Sequence, residues 1–228
     1  MDTQIKGTGS NSDERAQVDS SNQALRVSLR PIEHTDNGGT LGGHYSIGTM
    51  TGLMAAGIAS LAQVFQIRWA DNAKLFVLKR LIVQFSTATG FAATTVGAPV
   101  ELIVGHGSTA NGSGGTGLAP TNSNRMRSAM ANTSFAAVGG EVRIATTAAL
   151  TAATGQTLEA SPLASCMGAD NRTLVSTSPF PLFDQSDAGD HPLVLLSGDT
   201  LVIRTNVPAA TGTWFMALRM AWAEVPAY

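Results

Sequence analysis

Residues 193–225 read Leu-Val-Leu-Leu-Ser-Gly-Asp-Thr-Leu-Val-Ile-Arg-Thr-Asn-Val-Pro-Ala-Ala-Thr-Gly-Thr-Trp-Phe-Met-Ala-Leu-Arg-Met-Ala-Trp-Ala-Glu-Val. Apolar runs at 193–196 and 201–205 flank Ser197-Gly198-Asp199, which has turn chemistry, and Pro208 to Gly212 supplies the next turn. Trp214, Met216, Leu218, Met220 and Trp222 then alternate with Phe215, Ala217, Arg219, Ala221 and Ala223. Period two over nine residues is the signature of a strand, and the two faces are unequal: one large and apolar, the other mostly small. That is the pattern of a central strand between a core and a closely approaching layer. The stretch reads as a strand pair and predicts an all-β chain.

The same period recurs upstream. Leu25, Val27 and Leu29 alternate with Arg26, Ser28 and Arg30 until Pro31 ends the run. Tyr45 and Ile47 mark a short strand after a glycine-rich turn region. Residues 50–63 are rich in Ala and Leu and allow a helical turn or two, weakened by two glycines. Phe65, Ile67 and Trp69 share one face, with Gln66 and Arg68 on the other. Residues 74–86 form a long strand whose pattern is interrupted at Lys79-Arg80; a bulge, or burial on both faces, accounts for it. Residues 100–104 are a further strand, and 125–130 and 141–147 are weaker candidates. Residues 105–124 form a long loop of Gly, Ser, Thr and Asn, either functional or mobile. Residues 148–192, punctuated by prolines, read as mostly loop. Strands and turns with little convincing helix predict a β-sandwich of jelly-roll type, one domain over 24–228. Residues 1–23 are polar and predict an extended N-terminal arm, flexible alone or ordered by a partner.

Composition narrows the function. Charged residues are 13% of the 228-residue chain, well below the usual quarter, which points to surface covered by partners, the alternative being a neutral exposed surface of Ala, Thr, Ser and Gly. Net charge is −2 and the Lys and Arg residues are scattered, so no nucleic-acid footprint exists. The longest apolar run is far short of a membrane span, and the N-terminus has no secretory leader pattern, so synthesis in a cytoplasm is expected.

No motif carries strong chemistry. Gly112, Gly114 and Gly117 match G-x-G-x-x-G, but Leu118-Ala119-Pro120 is a poor helix start, so a dinucleotide site is not expected. His34, His44, His106 and His191 lack metal-ligand spacing, and no Gly-x-Ser-x-Gly elbow occurs. Cys166 has no basic neighbour and reads as an inert thiol. Asp184, Asp187 and Asp190 recur every three residues, as in an oxygen-rich calcium loop, although aspartate is also a common turn former. The expectation is a non-enzyme with no cofactor and no metal.

The chain resembles a family of small proteins from the virion-structure regions of tailed-bacteriophage genomes. The matching stretches are Gly43-His44-Tyr45, Met54-Ala55-Ala56-Gly57, and Phe65-Gln66-Ile67-Arg68-Trp69-Ala70. They continue at Arg127-Ser128-Ala129-Met130, Arg143-Ile144-Ala145-Thr146-Thr147-Ala148-Ala149-Leu150 and His191-Pro192-Leu193-Val194-Leu195. The last runs from Gly212-Thr213-Trp214 to Trp222-Ala223-Glu224-Val225. The resemblance implies a virion protein. The resulting expectation is a capsid cement or decoration protein on the capsid surface, bridging major capsid subunits and self-associating, a trimer by analogy. Leu25, Val27 and Leu29 are the candidate partner-binding residues, able to add a strand to a neighbour. The alternatives are a head fibre, tail or baseplate protein, and a carbohydrate-binding host-attachment module. The latter would need exposed tryptophans, whereas the parity of Trp69, Trp214 and Trp222 places them in the core.

Overall fold

A computed structural model describes residues 43–55, 57–88, 90–91, 98–120, 124–126, 132–135, 138–169, 178–186, 192–205 and 211–226. The arm, Leu25, Val27 and Leu29 lie outside the described residues. The described strands are β1 (Gly43–Met50), β2 (Met54–Ala55), β3 (Ala62–Arg68), β4 (Lys74–Thr87), β5 (Ala98–His106), β6 (Thr116–Leu118) and β7 (Glu141–Ile144). They continue with β8 (Thr157–Leu158), β9 (Ala164–Ala169), β10 (Phe180–Asp184), β11 (Leu193–Leu195), β12 (Thr200–Thr205) and β13 (Thr213–Pro226).

The pairing is nested. β1 pairs with β13, β3 with β12, β4 with β10 and β11, and β5 with β9, all antiparallel. It is the pattern of one long hairpin folded back over itself, each pair inside the last. Two further pairings, β13 with β4 and β12 with β5, join the pairs into two sheets. One sheet runs β1-β13-β4-β10; the other runs β6-β7-β3-β12-β5-β8. This strand order defines a jelly-roll sandwich.

The nesting corrects the reading of 193–225 as a strand pair. β11 joins β4, β12 joins β3 and β5, and β13 joins β1 and β4. Consecutive strands therefore lie in opposite sheets. Alternation reports which face of a strand is buried, and either sheet of a sandwich satisfies it. Residues 50–63 contain no helix among those described: β2, a turn, and Leu61 at φ 58° take the place of the helical turns. Residues 148–192 hold three strands, β8, β9 and β10, where mostly loop was expected.

The core fills the space between the sheets. Trp214, Met216, Leu218, Met220 and Trp222 project from β13, with Phe65, Ile67, Leu102, Val104, Leu201 and Ile203 from the second sheet. All three tryptophans are fully buried, which removes them as a sugar-stacking platform. Each indole N–H donates inside the protein: Trp69 to the Lys74 carbonyl, Trp214 to the Ala55 carbonyl, Trp222 to the Glu224 carboxylate. Phe85 stacks on Trp214 at 4.9 Å near one end of β13, and Phe76 on Trp222 at 6.0 Å near the other.

The interruption in β4 is a bulge at Lys79. Ala221 pairs with Arg80, but the next residue, Trp222, pairs with Leu78. The extra residue reverses the strand's parity. Phe76 and Leu78 face the core before it, and Leu81, Val83 and Phe85 after it. Leu75 and Val77 thereby move to the outer face, where Val77, Ala223 and Val225 form a second buried cluster with Leu75 against it.

Residues 105–124 are not a free loop where described. β6 pairs with β7, Ser113 bridges to Thr151, and Ala110 bridges to Thr154. The segment folds over the outer face of the second sheet, where Gln66, Val202 and Ile103 form a buried row across three strands. Gly112 permits the approach: a Cβ there would sit 2.2 Å from Gln66 Oε1 and 2.4 Å from the Thr151 carbonyl oxygen. Arg68 holds the flap down, donating to the carbonyl oxygens of Ser108, Thr109 and Gly139 and to Asn111 Oδ1.

Candidate functional site

Three arrangements concentrate polar chemistry or exposed apolar surface, and the sequence patterns above singled out none of them as a unit. The first is a buried carboxylate. Glu224 sits on the core side of β13 with no exposure. The Thr133 hydroxyl donates to Oε1, the Ser134 backbone N–H lies 3.0 Å from Oε2, and the Trp222 indole N–H lies 3.3 Å from Oε1. Lys74 Nζ stands 4.0 Å away and donates to Ser134 Oγ at 3.1 Å. A buried charge is tolerable only with such partners. The carboxylate fastens the loop at 132–135 to the sheet and seats Phe135 edge-on against Trp69 at 5.0 Å. Tyr45 packs on Trp222 at 5.5 Å, and burial, then Glu224, push its phenol well above its usual range.

The second arrangement is exposed. His106, at the end of β5, places Nδ1 2.8 Å from Asp199 Oδ1 and Nε2 3.3 Å from Glu159 Oε1. Both ring nitrogens face carboxylates.

The third lies at the edge where β9 of one sheet meets β10 of the other. A cleft of about 270 Å³ opens there, lined by Val83, Phe85, Val100, Cys166, Met167, Ser178 and Phe180. Met167 is 57% exposed and Phe180 46%. β11 continues the same edge of β4 beyond β10, and there Val194 is 40% and the following Leu196 59% exposed. Burial pushes the Cys166 thiol above its ordinary range.

The sequence candidates fare as follows. Gly112, Gly114 and Gly117 lie in the flap and lead into strand β6, so the helix a dinucleotide site needs is not there. Asp184 accepts from the Ser186 amide and hydroxyl through Oδ1 and meets Arg80 through Oδ2 at 2.9 Å. The Ser186 hydrogen bonds hold its carboxyl below the usual range. It is a turn residue with a cation partner; Asp187 and Asp190 lie outside the described residues. Among those described, no group of three or more His, Cys, Asp or Glu side chains is arranged to hold a metal ion.

Among the described residues, the fold is a jelly-roll sandwich with exposed apolar side chains on the edge strands β9, β10 and β11. No protein-family profile matches the chain, and no curated protein does. Among solved structures it is similar to the complex of the two major capsid proteins of bacteriophage P23-77, at 9% identity and a TM-score of 0.21, over 81% of this chain and 100% of that one. The fold assignment rests on the strand order and not on that likeness.

Proposed function

We propose that the chain is a structural virion protein of a tailed phage, a capsid cement or decoration protein that bridges and stabilises major capsid subunits. The observation that carries this reading is the exposure of four large apolar side chains, Met167 on β9, Phe180 on β10, Val194 on β11 and Leu196 just after it, on the strands at one edge of the sandwich. Apolar side chains exposed on neighbouring edge strands of a charge-poor protein support an interaction surface there. The resemblance of the sequence to virion proteins supports the same reading. Bridging would use the open edge and the arm, with Leu25, Val27 and Leu29 adding a strand to a neighbouring subunit. Many weak contacts on one lattice would multiply into firm attachment.

Quantitative mass spectrometry of purified particles tests this. A cement protein is present in a copy number commensurate with the shell lattice; a handful of copies indicates a tail or baseplate part and refutes the cement role. Removing residues 1–23 should weaken attachment to the particle, and unchanged attachment and particle stability would exclude the arm from bridging.

A further inference from the structure

His106 joins two elements that do not pair with each other. Asp199 belongs to the turn between β11 and β12, and its second oxygen accepts the Leu196 N–H at 2.8 Å, so the turn itself fixes that carboxylate. Glu159 opens the connection from β8 to β9. The connection is anchored by two backbone bonds, Glu159 N–H to the Val104 carbonyl at 2.9 Å and Leu163 N–H to the Leu102 carbonyl at 2.8 Å. The imidazole is the side-chain link between Glu159 and the turn.

An imidazole donates from both nitrogens only as the cation. The neutral ring donates from one nitrogen and turns a lone pair toward the other carboxylate. Asp199 is the nearer partner and the more buried, with 15% of its side chain exposed against 47% for Glu159. The single remaining N–H therefore stays with Asp199, and Glu159 faces a lone pair.

We propose that His106 is a pH-dependent latch on the connection 159–163: protonated, it clasps Glu159 to the β11–β12 turn; neutral, it keeps Asp199 and lets Glu159 go. The connection runs straight into β9, whose Met167 lines the open cleft, so the latch sets how firmly that strand is held. The inference stands on the geometry of the chain and holds whatever the open edge binds.

The charged groups acting on the ring are Asp199 and Glu159, and their hydrogen bonds raise its pKa above the ordinary 6.5. Arg68, on β3 beyond β12, is turned to the carbonyl oxygens of Ser108 and Thr109. A raised folded-state pKa means the clasp contributes fully below about 6.5 and is lost as pH rises through the folded value.

Amide exchange and histidine titration by NMR on the full chain test the latch. Protection at Glu159 and Leu163, corrected for base-catalysed intrinsic exchange, should fall several-fold as His106 loses its proton, with Ile203 in β12 unchanged. Glu159→Gln should lower the His106 midpoint and abolish the pH-dependent step. Protection that follows Ile203 at every pH, or a midpoint unmoved by Glu159→Gln, would overturn the proposal.

Discussion

Thr133 donates its hydroxyl hydrogen to the carboxylate of Glu224 in the interior, across 91 residues of chain. The bond links a loop with no regular structure to the last strand of the sandwich. It also satisfies a charge that has no contact with solvent.

Thr133→Val keeps the side-chain shape and removes that donor. Leaving a buried carboxylate short of one partner costs about 1–3 kcal/mol. Urea unfolding should show a lower midpoint with an unchanged slope. A midpoint equal to the wild type would mean the Ser134 amide, the Trp222 indole and Lys74 suffice.

Lys79 is the surplus residue of β4. Deleting it leaves Leu78 and Leu81 two positions apart, which restores plain alternation with both still facing the core. The deletion should fold cooperatively, with the bond from the Gln185 N–H to the Lys79 carbonyl, worth about 1 kcal/mol, among its losses. Deleting Gln84 instead turns Phe85 away from Trp214 and should abolish cooperative thermal unfolding. Equal behaviour of the two deletions would contradict the bulge.

Gly212 has φ +83°, and a Cβ there would lie 2.2 Å from the Gly90 carbonyl carbon and 2.3 Å from the Phe91 nitrogen. Both the conformation and the contact oppose a side chain, so Gly212→Ala should destabilise by about 1–3 kcal/mol. Gly48, on β1, has nothing within 4 Å of the same position. Gly48→Ala should be neutral or stabilising by up to about 1 kcal/mol. Denaturant midpoints of the pair decide the matter.

Tyr45 keeps its proton in the folded protein well above the phenol's ordinary 10.0, because burial and then Glu224 disfavour the anion. The native state thus holds more protons than the unfolded state above about pH 10, and stability falls as pH rises from there. Tyr45→Phe removes this dependence. Thermal midpoints between pH 9 and 12 should decline more steeply for the wild type than for the variant, and parallel declines would count against it.

How much of this was legible in the sequence depended on period and length. β13 and the interruption in β4 were readable because large side chains alternate over many residues and Lys79-Arg80 breaks the rhythm. β8, β9 and β10 were not, being two to six residues long, partly exposed, and in β10 containing Pro181. Sheet membership was hidden too, since the inward face of either sheet carries the same alternation. The Glu224 centre gave no signal: a glutamate at a strand end looks solvated until the Thr133 loop closes over it. His106, Asp199 and Glu159 come from three separate elements that only the nested pairing brings together.

The proposed function makes the edge formed by β9, β10 and β11 an assembly surface of a virion. The decisive measurement is an electron cryomicroscopy reconstruction of purified virions. The sandwich should lie on the outer shell, with Met167, Phe180, Val194 and Leu196 covered by a capsid subunit or a second copy. A chain absent from the particle, or one whose edge at these four residues faces open solvent, would contradict it.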